Sequence, residues 1–385
     1  MKYILSLITF FLFLNGYAQS KTIDTIPFHL DKLLLVFKGK INGVETDFAF
    51  DTGASHSVSN INVNSMAKIS KSKGKKRVKD SNQNQTKIEN VLIDELNIGN
   101  FHVTNLKALT YDMPFLNCAN LFLLGADVIN KFNWKFDFEK KLIYVSETPF
   151  ETDATMQTWD IFYKSNTPQV KYSYNNKNFK SCLIDFGFNG ILEVDAATDD
   201  ITEIYRKQSK KNKVNEYITS NMSLTGLGTP IEANDFIIDT MYIHNTLIKG
   251  VKVSRKANTD DKIGVYFFNK YCKEVILNYS QNKFYLNLLN ANNTVANKNP
   301  LDTRVSIKEG KFIITSKNIS QNSTALQLDI DEEIKSVNGK LVSDFKDECE
   351  FLLWYYLYKN ETLLIEKLNG EKITISRSTN INNTN

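Results

Sequence analysis

The sequence predicts a mainly β protein: two related lobes of short strands, then a small α/β domain. Three observations lead there. Residues 22–148 and 149–290 carry short alternations rich in Phe, Tyr, Ile and Val, the pattern of half-buried strands. These two segments match each other at three places in the same order, as a duplicated unit does. An Asn-rich stretch, 291–300, then reads as a linker before a third unit, 301–376, and an Asn-rich tail, 377–385, reads as disordered.

The first match pairs Ile41–Asp51 with Asn175–Asp185 without gaps. Each copy has a polar turn, a short strand, then an aspartate followed two residues later by glycine. Asn42-Gly43 is a hairpin signal. The second match pairs Leu123-Leu124-Gly125 with Ile263-Gly264-Val265. The third pairs Phe136–Val145 with Leu277–Leu286, both hairpin-like alternations around a polar turn. Short helices are expected over 126–132 and 265–272. Pro149 and Pro168 bracket the crossover between the lobes.

The chemistry-bearing segment is Phe48-Ala49-Phe50-Asp51-Thr52-Gly53-Ala54-Ser55. An apolar strand anchors the Asp51 carboxylate, and Gly53 permits a tight turn beneath it. Thr52 offers a hydroxyl to an opposing loop. One such carboxylate does little. Two brought within about 3 Å cannot both ionise easily, so they share a proton and their pKa values split. The ionised member then takes a proton from water and the protonated member donates to a substrate carbonyl. Leu183-Ile184-Asp185-Phe186-Gly187-Phe188-Asn189-Gly190 supplies the second copy, and a two-fold relation would place the loops face to face.

Asp51-Thr52-Gly53-Ala54-Ser55, after Phe48-Ala49-Phe50, resembles the active-site loop of retropepsin-like aspartic peptidases. Leu123-Leu124-Gly125-Ala126-Asp127 is similar to the segment that buttresses that loop. Asp185-Phe186-Gly187 resembles a variant of it, and the likeness covers about 22–290. It implies two pseudo-symmetric retropepsin-like β-barrel lobes in a pepsin-like bilobal arrangement. It implies an aspartic endopeptidase acting on extended peptide or protein substrates, with Asp51 and Asp185 as the dyad and no cofactor. Thr52, Gly53, Ala54, Phe186 and Gly187 would shape the loops. The family carries Thr or Ser at the place of Phe186, and phenylalanine cannot make that hydroxyl's hydrogen bond. Flaps are expected at Gly226-Leu227-Gly228, within 223–230, and at 71–85 around Gly74. A different reading is a catalytically impaired peptide-binding protein on the same scaffold. A third pairs lobe one with itself in a homodimer; the bilobal reading needs only a monomer.

In the third unit, Glu332–Lys340, with its Asn338-Gly339 turn, resembles a segment of PDZ domains, which bind peptides by strand addition. The resemblance implies a peptide grip at Gly310, Lys311 and Phe312. Strands are expected at 303–307, 311–316 and 333–336, a helix over 344–359 capped by Ser343, and a hairpin over 362–376. The aromatics Trp354-Tyr355-Tyr356 fit core packing.

Composition excludes other classes. A net charge of +4 over 385 residues gives no reason to expect a nucleic-acid partner. The basic run 71–79 reads as a solvated loop. The four histidines, His29, His56, His102 and His244, form no HExxH and no metal-ligand spacing, and the cysteines form no CxxC, so no metal site is expected. Residues 1–18 read as a signal peptide, with Lys2, an apolar core and small residues before a cut after Ala18. The mature chain is thus expected to be exported, periplasmic or secreted, without an integral membrane segment. Cys182 and Cys272 fall in one lobe and are expected either to pair or to be free thiols.

Overall fold

The computed structural model describes residues 22–30, 33–80, 83–220, 222–289 and 300–378. The expected signal peptide, most of the linker and most of the tail lie outside them. The first sheet contains β1 (Val36–Ile41), β2 (Val44–Phe50), β3 (Val58–Ser59), β4 (Gln85–Ile98), β5 (Phe101–Thr110) and β6 (Leu121–Leu124). They pair in the order β1-β2-β6-β3-β5-β4, and β4 returns onto β1 through Lys40↔Asn97 and Ile41↔Leu96, which closes a six-strand barrel. Asn42 and Gly43, both at positive φ, form the β1–β2 turn as their dipeptide predicts. β6 is parallel to β2 and buried on both faces, which is why it reads Leu-Phe-Leu-Leu without alternation.

Further along, β7 (Thr167–Ser173), β8 (Lys180–Asp185), β9 (Leu192–Asp195), β10 (Ile231–Ile243), β11 (Thr246–Lys256) and β12 (Lys262–Gly264) pair in the order β7-β8-β12-β9-β11-β10. β10 meets β7 through Tyr172↔Ile243. Between the rings runs a bridging set of strands whose central pair is Asn133–Asp137 on Cys272–Asn278, with Phe136 opposite Val275 and Trp134 opposite Leu277. One continuous apolar core, including Phe50, Trp134, Phe136, Phe186 and Phe268, spans both rings. That shared core fixes one active-site loop against the other.

The C-terminal unit carries Thr303–Lys308, Lys311–Asn318, Glu333–Val337, Thr362–Lys367 and Lys372–Ser376 around the helix Glu348–Tyr356. It has its own core around Phe312, Phe345 and Phe351. Lys311–Asn318 pairs with the strand Val214–Thr219, so the unit extends the second sheet. A disulfide, Cys118–Cys349, ties its helix to the short helix Pro114–Cys118 of the first ring's half.

Cys182 and Cys272 are buried free thiols, one of the two outcomes expected of them, and the disulfide joins Cys118 to Cys349. Several other expectations need correction. The basic run is not a loop but the strand Ser70–Lys79, whose charges face solvent while its backbone pairs with β4. The C-terminal helix begins at Glu348 with Asp347 as cap, because Phe345 turns into the core in extended backbone and interrupts the path from Ser343. Residues 377 and 378 are not a frayed tail: Ser378 Oγ meets Tyr217 Oη at 2.7 Å and donates to Asp302 at 2.6 Å. Gly310 lies with Glu309 in a two-residue hairpin turn, Lys311 is already paired with Lys308, and Phe312 is fully buried with strands on both sides. No open loop exists there to grip a peptide end.

Candidate active site

β2 delivers Asp51 and β8 delivers Asp185, each at a strand end where the backbone turns. Asp51 N–H donates to Leu124 O at 3.0 Å, which locks the strand end onto β6. The Asp51 carboxyl accepts from Gly53 N–H at 2.8 Å and Ala54 N–H at 2.9 Å; Asp185 accepts from Gly187 N–H at 2.9 Å. Each glycine then lies under the other loop's acid. A Cβ on Gly53 would stand 2.6 Å from Asp185 Cγ, and one on Gly187 would stand 2.3 Å from Asp51 Cγ. The two carboxyls are within hydrogen-bonding reach of each other. The loop facing Asp51 thus comes from the same chain.

The loops are tied unequally. Thr52, fully buried, donates its hydroxyl to Ile184 O at 2.6 Å and accepts Phe186 N–H at 3.0 Å. The Phe186 side chain has no hydroxyl to return that tie. Instead its ring stacks on Phe268 at 4.7 Å and meets Phe136 at 5.2 Å and Phe50 at 5.6 Å.

Both loops have a buttress. Ala126 N–H donates to Ala54 O at 2.8 Å, and Val265 N–H to Phe188 O at 2.9 Å. On the first side Asp127 accepts both Ser57 N–H at 2.9 Å and Ser57 Oγ at 2.7 Å, while Ser57 Oγ accepts Gly125 N–H at 3.0 Å.

Burial pushes both carboxyls above the usual carboxylate range. Asp51 is pushed up to about 8, by loss of water first and by the Asp185 charge second. Asp185 is raised by burial, against the pull of the Lys262 ammonium. Two raised carboxyls that interact this closely share one proton, the state that acid–base hydrolysis needs.

The dyad opens into a cavity of about 450 Å³. Two hairpin tips meet over it. Asp80, after the strand Ser70–Lys79, accepts Ser223 Oγ at 2.6 Å and also the Thr225 hydroxyl, and Asn84 Nδ2 donates to Thr225 Oγ1 at 3.3 Å. The expected flap at 223–230 is thus a two-residue hairpin between Met222–Ser223 and Gly226–Leu227. Leu224, not the exposed Leu227, lines the cavity. The first flap turns beyond Lys79 rather than at Gly74, where its ladder instead slips register.

His56 is half-buried in the cavity wall beside Lys76, and burial lowers its pKa. Asp80 falls inside the flap expected at 71–85 but was not singled out, and sequence reading missed Glu193, Lys256 and Lys262, and also Arg304 and Tyr356 of the C-terminal unit, all of which line the cavity. Only the second-copy alignment, which puts Lys262 two residues before Gly264, could have flagged any of them. Among the described residues no cluster of three His, Cys, Asp or Glu side chains is placed to hold a metal ion, and no helix is long and apolar enough to cross a membrane.

Residues 37–128, which span the first ring and its buttress, match a family model described as aspartyl protease. The fold is aspartyl protease-like. No curated protein matches the chain at a significant level. The matched segment holds Asp51, Thr52 and Gly53 but ends before Asp185.

Proposed function

We propose that the protein is an aspartic endopeptidase that hydrolyses extended peptides with Asp51 and Asp185 as its dyad. One observation carries this reading: two half-buried aspartates from separate rings meet at the floor of one cavity, each over the other's glycine. Asp185 acts as base toward a water, and Asp51, protonated, donates to the carbonyl oxygen of the scissile bond. Attack of that water on the carbonyl carbon gives a tetrahedral diol, which collapses with proton transfer to the leaving amine. No covalent enzyme intermediate is needed. On this reading the two closed strand rings are the pseudo-symmetric lobes of a bilobal enzyme.

On this reading the C-terminal unit shapes one wall of the cleft through Arg304 and Tyr356 rather than gripping a peptide end. We also infer export to a periplasmic or extracellular compartment, since disulfides such as Cys118–Cys349 persist in oxidising surroundings.

The test is a peptide-library digest from about pH 3 to pH 8 with the parent, Asp51→Asn and Asp185→Asn. Cleavage by the parent and loss in both variants is expected. Retained cleavage in a folded Asp185→Asn protein would remove the dyad.

A further inference from the structure

Beside Asp185 lies a buried charged cluster that water-mediated hydrolysis does not require. Glu193 of β9, 1 % exposed, takes Lys256 Nζ at 2.6 Å, Lys262 Nζ at 3.0 Å and Thr259 Oγ1 at 2.6 Å. Lys262 Nζ also sits 4.7 Å from the Phe188 ring centroid, in the loop that carries Asp185. Two ammonium groups against one carboxylate leave the cluster with net positive charge. Burying such a set is seldom the most stable filling, because apolar residues of similar volume often do as well or better.

The molecule contains its own control. In the second ring β9 faces β12 with Glu193 opposite Lys262, and β12 faces β8 with Gly264 opposite Asp185. In the first ring β3 faces β6 with Val58 opposite Leu123, and β6 faces β2 with Leu124 opposite Phe50, which brings Gly125 level with Asp51. Counted from the two glycines, Leu123 holds the place of Lys262 and Val58 the place of Glu193. One residue past the Ser59↔Thr110 pair, Tyr111 holds the place of Lys256. The same frame is therefore filled by apolar or aromatic side chains beside Asp51 and by ions beside Asp185. The fold itself does not demand charge there.

We propose that the Lys256–Glu193–Lys262 cluster is a positioning element that breaks the equivalence of the two carboxyls, holding Asp185 as the resident base and leaving the shared proton on Asp51. This rests on the dyad reading above. The charged groups facing Asp185 are Asp51 from the opposite loop, Lys262 from β12 and Glu193 from β9; of these Lys262 acts most strongly and favours the ionised form. No lysine acts comparably on Asp51, where burial and Asp185 dominate. Elsewhere on the cavity wall the charged side chains are His56, Lys79, Asp80 and Arg304.

The experiment pairs pH–rate profiles with NMR titration of the aspartate carboxyl carbons. It uses the parent, Lys262→Met, Lys262→Arg and the triple variant Glu193→Val/Lys256→Met/Lys262→Leu. In Lys262→Met, Glu193 keeps Lys256 and Thr259, so no buried charge is orphaned. The Asp185 midpoint and the acid limb of kcat/KM should rise together by about one pH unit or more in Lys262→Met and in the triple variant. Lys262→Arg should hold both near the parent. A folded Lys262→Met or triple variant whose Asp185 midpoint stays within roughly 0.3 unit of the parent overturns the proposal. So does failure of both to fold, which would make the cluster a stability element. If the parent cleaves nothing, the peptidase reading falls, while the NMR midpoint still decides what the cluster does.

Discussion

The loop after β2 and the loop after β8 solve one problem with different chemistry. Asp51-Thr52-Gly53 is tied across by a hydroxyl that both donates and accepts. Asp185-Phe186-Gly187 contributes a backbone N–H to that tie and otherwise holds itself by an aromatic stack over the bridging strands. The lesson is that a two-fold frame does not need two-fold interactions. A threonine bond needs a partner at one distance and angle. A buried ring needs only apolar volume, and Phe50, Phe136 and Phe268 supply it.

The sharpest way to break this comparison is to remove the ring. Phe186→Ala should cost about 3–5 kcal/mol, read as a lowered urea midpoint at unchanged slope. Phe186→Thr should recover little of it, since a new hydroxyl cannot fill the space; a Thr variant as stable as the parent would mean the stack is dispensable. Next come the crossed glycines. Gly53→Ala or Gly187→Ala should lower kcat/KM by about 10²-fold, with Gly187 the worse because its added carbon would come closer to the opposing acid.

Thr52→Val should then cost about 2 kcal/mol, the loss of two bonds and an orphaned Phe186 N–H, while Thr52→Ser should stay near the parent. Equal loss in Ser and Val would point to the methyl group rather than the hydroxyl.

A pH experiment separates the two acids further. Asp51 is raised from 3.8 to about 8 in the folded protein, so it binds a proton there that the unfolded chain has released. The stability it contributes is present in full below about pH 4 and is lost as pH rises through about 8. Chemical denaturation across this window should therefore show a shallower decline in Asp51→Asn than in the parent. The smallest effect concerns the flaps. Asp80→Ala should loosen the clasp, raising amide exchange at 223–228 and changing KM by about threefold; unchanged exchange would mean the tips are held by other contacts.

The legible parts of the molecule were those whose signals are local. An apolar strand running into Asp51-Thr52-Gly53, the Asn42-Gly43 turn and the Leu-Gly of the buttress each state their geometry within a few residues. Asp185 was legible only by comparison with Asp51, through the internal repeat. The basic strand 70–79 was not, because a run of exposed charge looks the same whether its backbone is free or laddered to β4. The carboxyl grip expected at 310–312 failed for the converse reason. A Glu-Gly pair fits an open loop or a tight turn equally well, and the pairing of Lys308 with Lys311 chose the turn.

By itself, the sequence determined two aspartates on strand ends, a repeated frame around them and a third unit beyond a linker. Periodicity and turn chemistry act between near neighbours, and near neighbours are what a chain displays. Tertiary structure alone decided that Cys118 finds Cys349, that Asp80 meets Ser223 and that Lys262 stands beside Asp185 against Glu193. Those relations depend on which distant segments share a buried space, and there the loss of water makes each charge felt strongly by the next.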